Sequence, residues 1–143
     1  MNDDFRQLYR YFLKDTIRKN IDFSRTDQHR GIPPPPIAKP PAPDALIIDL
    51  VKPHSWRGVR RIDLTEAIVN RRSHRAYLQA ALTLDELSFL LWATQGIRRK
   101  VDRGHAYRTV PSAGCRHALE TYLAVLNVQG LEPAIYRYLP LGH

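Results

Sequence analysis

The sequence is poor in sulfur: one cysteine and one methionine among 143 residues. A lone cysteine excludes an internal disulfide framework and any zinc module built on several thiolates. No apolar run approaches the roughly 20 residues of a membrane-spanning helix. The opening, MNDDFRQLYRYF, is acidic and then amphipathic, which does not fit a secretory signal. P-loop and GxGxxG patterns are missing, and so is a paired-carboxylate glycosidase signature. Ser73 and Ser112 have no GxSxG surroundings, so hydrolysis has no support. His74, His105 and His117 show no metal-like spacing with Cys115 or with carboxylates. These absences lead to the expectation of a soluble, cytoplasmic protein without a metal site.

What is present is mostly ordinary for a globular chain: 43% hydrophobic and 25% charged residues. The balance is basic, 22 Lys and Arg against 14 Asp and Glu, for a formal charge of +8. That excess points weakly to an anionic partner: nucleic acid, a membrane surface or a phosphate-bearing ligand. Of these, a membrane is not expected, and a nucleic-acid-binding module is a disfavoured alternative. It needs basic residues interleaved with aromatics on one face, and the sequence shows no clear face of that kind.

Along the chain, Phe5, Leu8, Tyr9, Phe12, Leu13 and Ile17 fall on one helical stripe. Asp3 and Asp4 suit the N-terminus of that helix, and its apolar face reads as a docking surface. Ile32 to Pro43 holds seven prolines in twelve residues. It is therefore expected to be extended, a stiff spacer or an arm laid over a neighbour, with the partner subunit as the expected surface. Ala45 to Val51 is a short apolar run suited to an added strand or to covering a groove. Three regions follow: a helical segment over 1–31, a proline-rich arm over 32–59, and a folded part over 60–143.

Within the last region, Asp63 and Glu66 have capping-box spacing ahead of LTEAIVNRR, and Thr83 and Glu86 repeat that spacing ahead of LDELSFLLWATQ. Gly96 is expected to end the second helix as a C′ glycine does. Arg98 to Arg108 reads as a basic loop. PSAGCR, from Pro111, reads as a tight turn. Glu120 to Val128 and Ala134 to Leu139 read as strands joined near Gly130 into a hairpin. The order of helices and strands predicts an α+β fold.

Two groups of residues have chemical potential. Arg71, Arg72, Ser73 and Arg75 bring three guanidiniums and a hydroxyl into five residues. This arrangement suits a phosphate, but it equally suits a basic helix end that offsets the dipole. Pro111, Ser112, Ala113 and Gly114 form a small-residue turn. It would let a flat ligand approach the backbone, or it is simply a turn. Cys115, followed by Arg116 and His117, is a candidate for a lowered thiol pKa.

Taken in order, RRSHRAY, LTLDELSFLLWATQGIR and RTVPSAGCRHALETYLAVLNVQGLEPAIYRYLP resemble the nitroreductase superfamily, and within it the SagB/ThcOx-type dehydrogenase branch. The resemblance runs from about Leu64 to His143. It implies an α+β fold on a central antiparallel-type sheet, usually a homodimer with FMN at the subunit interface. It further implies that Arg71, Arg72, Ser73 and Arg75 contact the FMN phosphate, ribityl chain and ring edge. Pro111, Ser112, Ala113 and Gly114 would then lie near the isoalloxazine, often reaching it from the partner subunit. The implied activity is two-electron transfer through the flavin, with NAD(P)H as a possible donor and a small molecule or an azoline in a modified peptide as substrate. Ala81, Cys115 and Ala118 depart mildly from the family pattern. The family's domain also continues beyond the point matched by His143. The chain is therefore expected to supply the N-terminal half of a domain, completed by dimerisation or by a complementary C-terminal half on another chain. A non-catalytic relic or binding subunit of the same fold is the alternative.

Overall fold

The computed structural model describes residues 3–143, and the side chains of Asp3 and Ala113 lie outside what it describes. The contribution expected of Asp3 at the helix N-terminus thus falls outside the described residues. The chain divides into two units, 1–34 and 35–143, each taken here by itself.

In the first unit, α1 spans Asp3–Phe12. Phe5, Leu8, Tyr9 and Phe12 line up as their spacing requires, and all are exposed. The helix is shorter than the apolar stripe. Lys14 is extended, and a 3-10 turn at Asp15–Asn20 follows, so Leu13 and Ile17 do not prolong α1. Asn20 donates to the Tyr11 hydroxyl at 2.6 Å, and Arg18 pairs with Asp15 at 3.2 Å, which ties the turn together locally.

The second unit is built around α3, Leu84–Gln95. Its start has the reciprocal capping predicted from Thr83 and Glu86. The Thr83 hydroxyl accepts the Glu86 N–H at 3.2 Å, and a Glu86 carboxylate oxygen accepts the Thr83 N–H at 2.8 Å. Those bonds to Thr83 hold the Glu86 carboxyl below its ordinary pKa. Leu87, Leu91 and Tyr138 form the buried centre, with Leu50, Leu84, Leu123, Val128 and Leu131 packed around them. A second, aromatic cluster joins Trp56, Phe89 and Trp92, with centroids 5.2–6.4 Å apart. Gly96 does end α3, but not in the left-handed conformation expected of a C′ glycine; its φ is −60°. Glycine is needed there for space, because a Cβ would fall 2.6 Å from the Trp92 carbonyl oxygen.

Two antiparallel hairpins follow, and they form separate two-stranded sheets rather than one central sheet. The first corrects the loop expected at 98–108: β1 (Ile97–Lys100) pairs with β2 (Ala106–Arg108). Its turn is closed by Asp102, whose carboxylate accepts the Gly104 and His105 N–H groups at 2.8 and 3.0 Å. Arg99 also lies over the Tyr107 ring on the facing strand, 5.2 Å from its centroid. The second hairpin is the expected one, with shorter strands: β3 (Tyr122–Val125) and β4 (Ala134–Arg137), in register Leu123 to Tyr136 and Val125 to Ala134. One face points into the core through Leu123 and Val125. The other also carries apolar side chains, but Tyr122, Leu126 and Ile135 are 62%, 80% and 69% exposed.

The remaining helix, α2 (Leu64–Asn70), is capped by Asp63, whose carboxylate accepts the Thr65 and Glu66 N–H groups at 2.8 and 3.3 Å. It stops at Asn70, before the arginines that were expected to close it, and Leu64, Ile68 and Val69 are exposed.

Residues 35–63 form no helix or strand. They lie against their own unit. Ile37 donates its N–H to the Arg103 carbonyl at 3.2 Å. Lys39 donates its N–H to Glu120 at 3.0 Å, and Arg137 donates to the Pro40 carbonyl at 3.0 Å. Farther on, Val51 N–H reaches Ser88 at 3.0 Å and Arg57 N–H reaches Asp85 at 2.7 Å. Ile37, inside the proline run, is itself buried.

Candidate functional site

The first group of site residues sits where α2 gives way to irregular chain. Arg71 is the C-cap, and Arg72, Ser73 and Arg75 follow in a segment that is exposed throughout. Among the described residues, no hydrogen bond or ion pair occupies these three guanidiniums. Their forked donors are therefore free to meet an anion.

The second group forms a turn with unusual backbone. Ser112 is extended, and a single 3-10 turn spans Ala113–Cys115. Gly114 has φ +69°, and Cys115 and His117 also have positive φ, at 56° and 47°. Left-handed backbone is natural for Gly114 and strained for the other two, and such strain concentrates where a ligand is held. The ground in front of Gly114 is open, since even an added Cβ would meet nothing nearer than the Arg116 side chain at 4.0 Å. The Ser112 hydroxyl accepts the His117 N–H at 3.4 Å, closing the turn.

Arg108, at the end of β2 and three residues before Pro111, was not singled out by the sequence. Only 6% of it is exposed. Its guanidinium donates to the Gln95 side chain at 3.0 Å, but Nε has no hydrogen-bond partner. No carboxylate pairs with it among the described residues. Burial holds its pKa below the usual guanidinium range, and the charges of Glu120 and Tyr138 oppose that shift. Burial also lowers His117, with the Arg108 charge adding to the effect and a bond to the Ala106 carbonyl opposing it. A buried cation with an orphaned N–H beside a strained turn is electrostatically prepared for an anion or a carbonyl oxygen. The available signal was an arginine just ahead of PSAG, hidden among the other basic residues of 98–108.

This unit has cavities of about 380 and 640 Å³, and neither is lined by residues 71–75 or 111–114. The two groups are thus not gathered into either cavity. Among the described residues, no cluster of His, Cys, Asp and Glu could hold a metal ion, and no helix is long and apolar enough to cross a membrane.

Residues 68–141 match the sequence profile of the nitroreductase family. That stretch contains both site segments, α3 and both hairpins, and it covers more than half of the chain. The chain belongs to the nitroreductase family. A protein of Methanocaldococcus jannaschii named "Putative nitroreductase MJ1384" is 41% identical over 85 residues, which make up 59% of this chain and 41% of the relative. The chain therefore spans less than half the length of that curated relative. As a nitroreductase-family α+β domain, it fits FMN, the family's usual cofactor, by its donor chemistry. Unpaired guanidiniums suit a phosphate, and an open glycine turn suits a flat ring.

Proposed function

We propose that this chain carries part of the FMN site of a flavin-dependent oxidoreductase, of the SagB/ThcOx-type dehydrogenase kind within the nitroreductase family. The observation that carries the reading is the family match over 68–141 together with the free cationic segment inside it. Arg71, Arg72 and Arg75 would hold the phosphate by charge-assisted hydrogen bonds, with Ser73 adding a short one. Pro111, Ser112, Ala113 and Gly114 would sit against the ring, the positive φ of Gly114 keeping the backbone close to it. Bound FMN supplies two-electron redox chemistry, and the protein's part is to anchor, orient and shield it. Arg108 is suited to set the local charge at the turn. NAD(P)H is the proposed donor for a nitro or quinone substrate; an azoline in a modified peptide is the branch-specific substrate.

We further propose that residues 1–31 act as a docking segment and 32–59 as an arm. In this proposal 60–143 form the N-terminal part of an FMN-binding domain, completed by a second copy or by a complementary C-terminal half. The doubly apolar β3–β4 hairpin supports this, since a sheet with two apolar faces needs a layer on each. The cytoplasm is the proposed location.

The test is the visible spectrum of the purified chain before and after loading with FMN and desalting, alone and with a separately expressed C-terminal half of the relative. The expected result is a retained flavin band, present at least in the complemented sample. Arg72→Ala should weaken FMN affinity by about 10- to 100-fold, the loss of one or two charge-assisted bonds. If FMN washes through under both conditions, the reading fails in favour of a non-catalytic relic; if Arg72→Ala and Arg71→Ala retain it unchanged, the arginine segment is not the phosphate anchor and the site assignment fails.

A further inference from the structure

The larger cavity, about 640 Å³, borders neither the arginine segment nor the glycine turn, so the proposed cofactor site leaves it unexplained. Its size lies within the span of about 300–1,000 Å³ usual for small-molecule sites. Helix α3 gives it Trp92. The first hairpin and its exit give Ile97, Arg98 and Thr109, and a turn in the irregular chain gives His54.

The ring-bearing wall is built at a local cost. The Ser55 N–H donates to the Lys52 carbonyl at 3.0 Å, which makes a β-turn with Pro53 and His54 at its centre. His54 has φ +70° there. In a turn with proline one place ahead, that position belongs to glycine. The strained histidine sets its ring edge-on to Trp92, with centroids 5.5 Å apart, and 5.7 Å from Trp56. Trp92 is held in its turn. Its carbonyl accepts the Gly96 N–H at 2.8 Å and the Thr109 hydroxyl at 2.9 Å. Its ring lies so close to Gly96 that a Cβ would fall 2.5 Å from Cδ1. The Trp56 ring is 5.2 Å from that of Trp92, and its indole N–H is buried without an acceptor. A left-handed histidine and an unmet donor are thus both tolerated in one ring cluster, and costs of this kind concentrate where a ligand is held.

The charge at the cavity comes from a break in the hairpin. Ile97 pairs with Arg108 and Arg99 with Tyr107, two steps on β1 against one on β2. Arg98 is therefore the extra residue of a β-bulge, a device that re-aims a side chain. Successive residues of a regular strand face opposite sides, yet Ile97 and Arg98 both border this cavity. Among the described residues, no hydrogen bond or ion pair occupies the exposed Arg98 guanidinium, and no carboxylate lines the cavity. Aromatic rings alone would suit an organic cation. A permanent guanidinium with no acid beside it reverses that preference and selects an anion.

We propose that this cavity binds a small aromatic carboxylate, its ring against Trp92 and His54 and its carboxylate on Arg98. A flat apolar ring matches the ring-bearing wall, and a planar carboxylate matches the forked donors of arginine. A free aromatic acid and the C-terminus of a peptide ending in an aromatic residue share this chemistry.

The test is a titration of the full chain with benzoate at constant ionic strength. It is followed by NMR at the Trp92 indole N–H, one of only two tryptophan signals in the chain, and at the Arg98 amide. Benzamide and benzylammonium serve as the neutral and cationic counterparts. Benzoate should shift both signals saturably, with an affinity about three- to ten-fold above that of either counterpart. Arg98→Gln should abolish the preference for benzoate and leave benzamide unchanged. His54→Gly keeps the turn, since glycine is at ease at this φ, and should weaken benzoate and benzamide alike by about two- to ten-fold. The tripeptide glycyl-glycyl-phenylalanine is titrated in parallel. Binding tighter than benzoate that is lost in its C-terminal amide assigns the carboxylate to a peptide end, and weaker binding assigns it to a free acid. A benzoate response that does not saturate, that equals the benzamide response or that survives Arg98→Gln unchanged overturns the proposal. Tighter binding of benzylammonium, or unaltered affinity in His54→Gly, overturns it as well. None of these signals lies in 71–75 or 111–114, so failure here leaves the flavin reading standing.

Discussion

Ser88 is the residue through which the irregular chain at Val51 is attached to α3, and its replacement by alanine has a calculable outcome. The side chain is 0% exposed. Its oxygen accepts the Val51 N–H at 3.0 Å and donates to the Leu84 carbonyl one turn back at 2.6 Å. In Ser88→Ala the second bond is lost at little cost, because Leu84 keeps its helical partner. The first bond leaves the Val51 N–H half-buried without an acceptor, which costs about 1–3 kcal/mol. Alanine recovers roughly 0.5 kcal/mol through its better helix propensity. The net loss is therefore about 0.5–2.5 kcal/mol. For a cooperative unit of this size, at roughly 4 °C per kcal/mol, that lowers Tm by roughly 2–10 °C.

Thermal melts at about pH 8, where His143 is neutral, measure that loss. Exchange of the Val51 amide separates this mechanism from general loosening of the core. The Val51 amide should lose protection by more than the global destabilisation accounts for, while amides of β3 and β4 track the global change. Ser88→Cys, a near-isostere with a weaker acceptor, should fall between. A Tm within about 1 °C of the parent and an unaltered Val51 amide, against the roughly 2–10 °C expected, would refute the view that this hydroxyl fastens the chain at Val51.

Three further outcomes are expected. Gly96→Ala should cost about 1–3 kcal/mol by overpacking, and it should alter Trp92 fluorescence, because the added methyl meets Trp92 backbone and ring while φ is ordinary. Thr83→Ala removes the N-cap acceptor of α3 and should cost about 1 kcal/mol, measured by denaturant titration, with amide exchange rising first at Glu86. The β1–β2 turn should open in acid. The Gly104 N–H, followed by His105, holds the Asp102 carboxyl below its ordinary 3.8, so the turn is stable above that value and is lost as pH falls through the folded one. The Gly104 and His105 amide shifts report the opening, and Asp102→Ala should abolish the step.

The α+β order, both capped helices and the β3–β4 hairpin were legible because each rests on a local signal. A capping residue lies three positions from its partner, and a strand alternates against its neighbour. The stretch 98–108 was missed because β1 is basic and mostly exposed, and β2 has only three residues with an arginine at one of its two buried positions, so no apolar alternation marks them. The readable sign was Asp102 followed two residues later by Gly104, a side chain placed to close a turn. Ser88 was passed over between Leu87 and Leu91 because its partner, Val51, is 37 residues away, a distance no periodicity reports. For the same reason the proline-rich stretch was legible as extended, while the surface it lies on, with bonds to Glu120 and Arg137, was not. Arg71 to Arg75 stood out by composition, and Arg108 did not, since what distinguishes it is burial rather than residue type.

Under the proposed function, the exposed apolar surface and the exposed arginines are linked. A guanidinium in open water gains little from a phosphate, because water and salt compete for both. The same group covered by a neighbouring layer gains several-fold more, because the local dielectric falls. The outer face of β3–β4 and the apolar side of α2, which leads directly into Arg71, both lack such a layer here. One covering layer would therefore bury Leu64, Ile68 and Val69 of α2 and desolvate the arginines that follow it. By mass action, whatever covers these faces and FMN should then stabilise each other's binding. FMN affinity should rise with protein concentration if a second copy supplies the layer, and with added C-terminal half if that supplies it. An affinity independent of both would mean that the arginines bind phosphate from open solvent, and the coupling argued from α2 would fall.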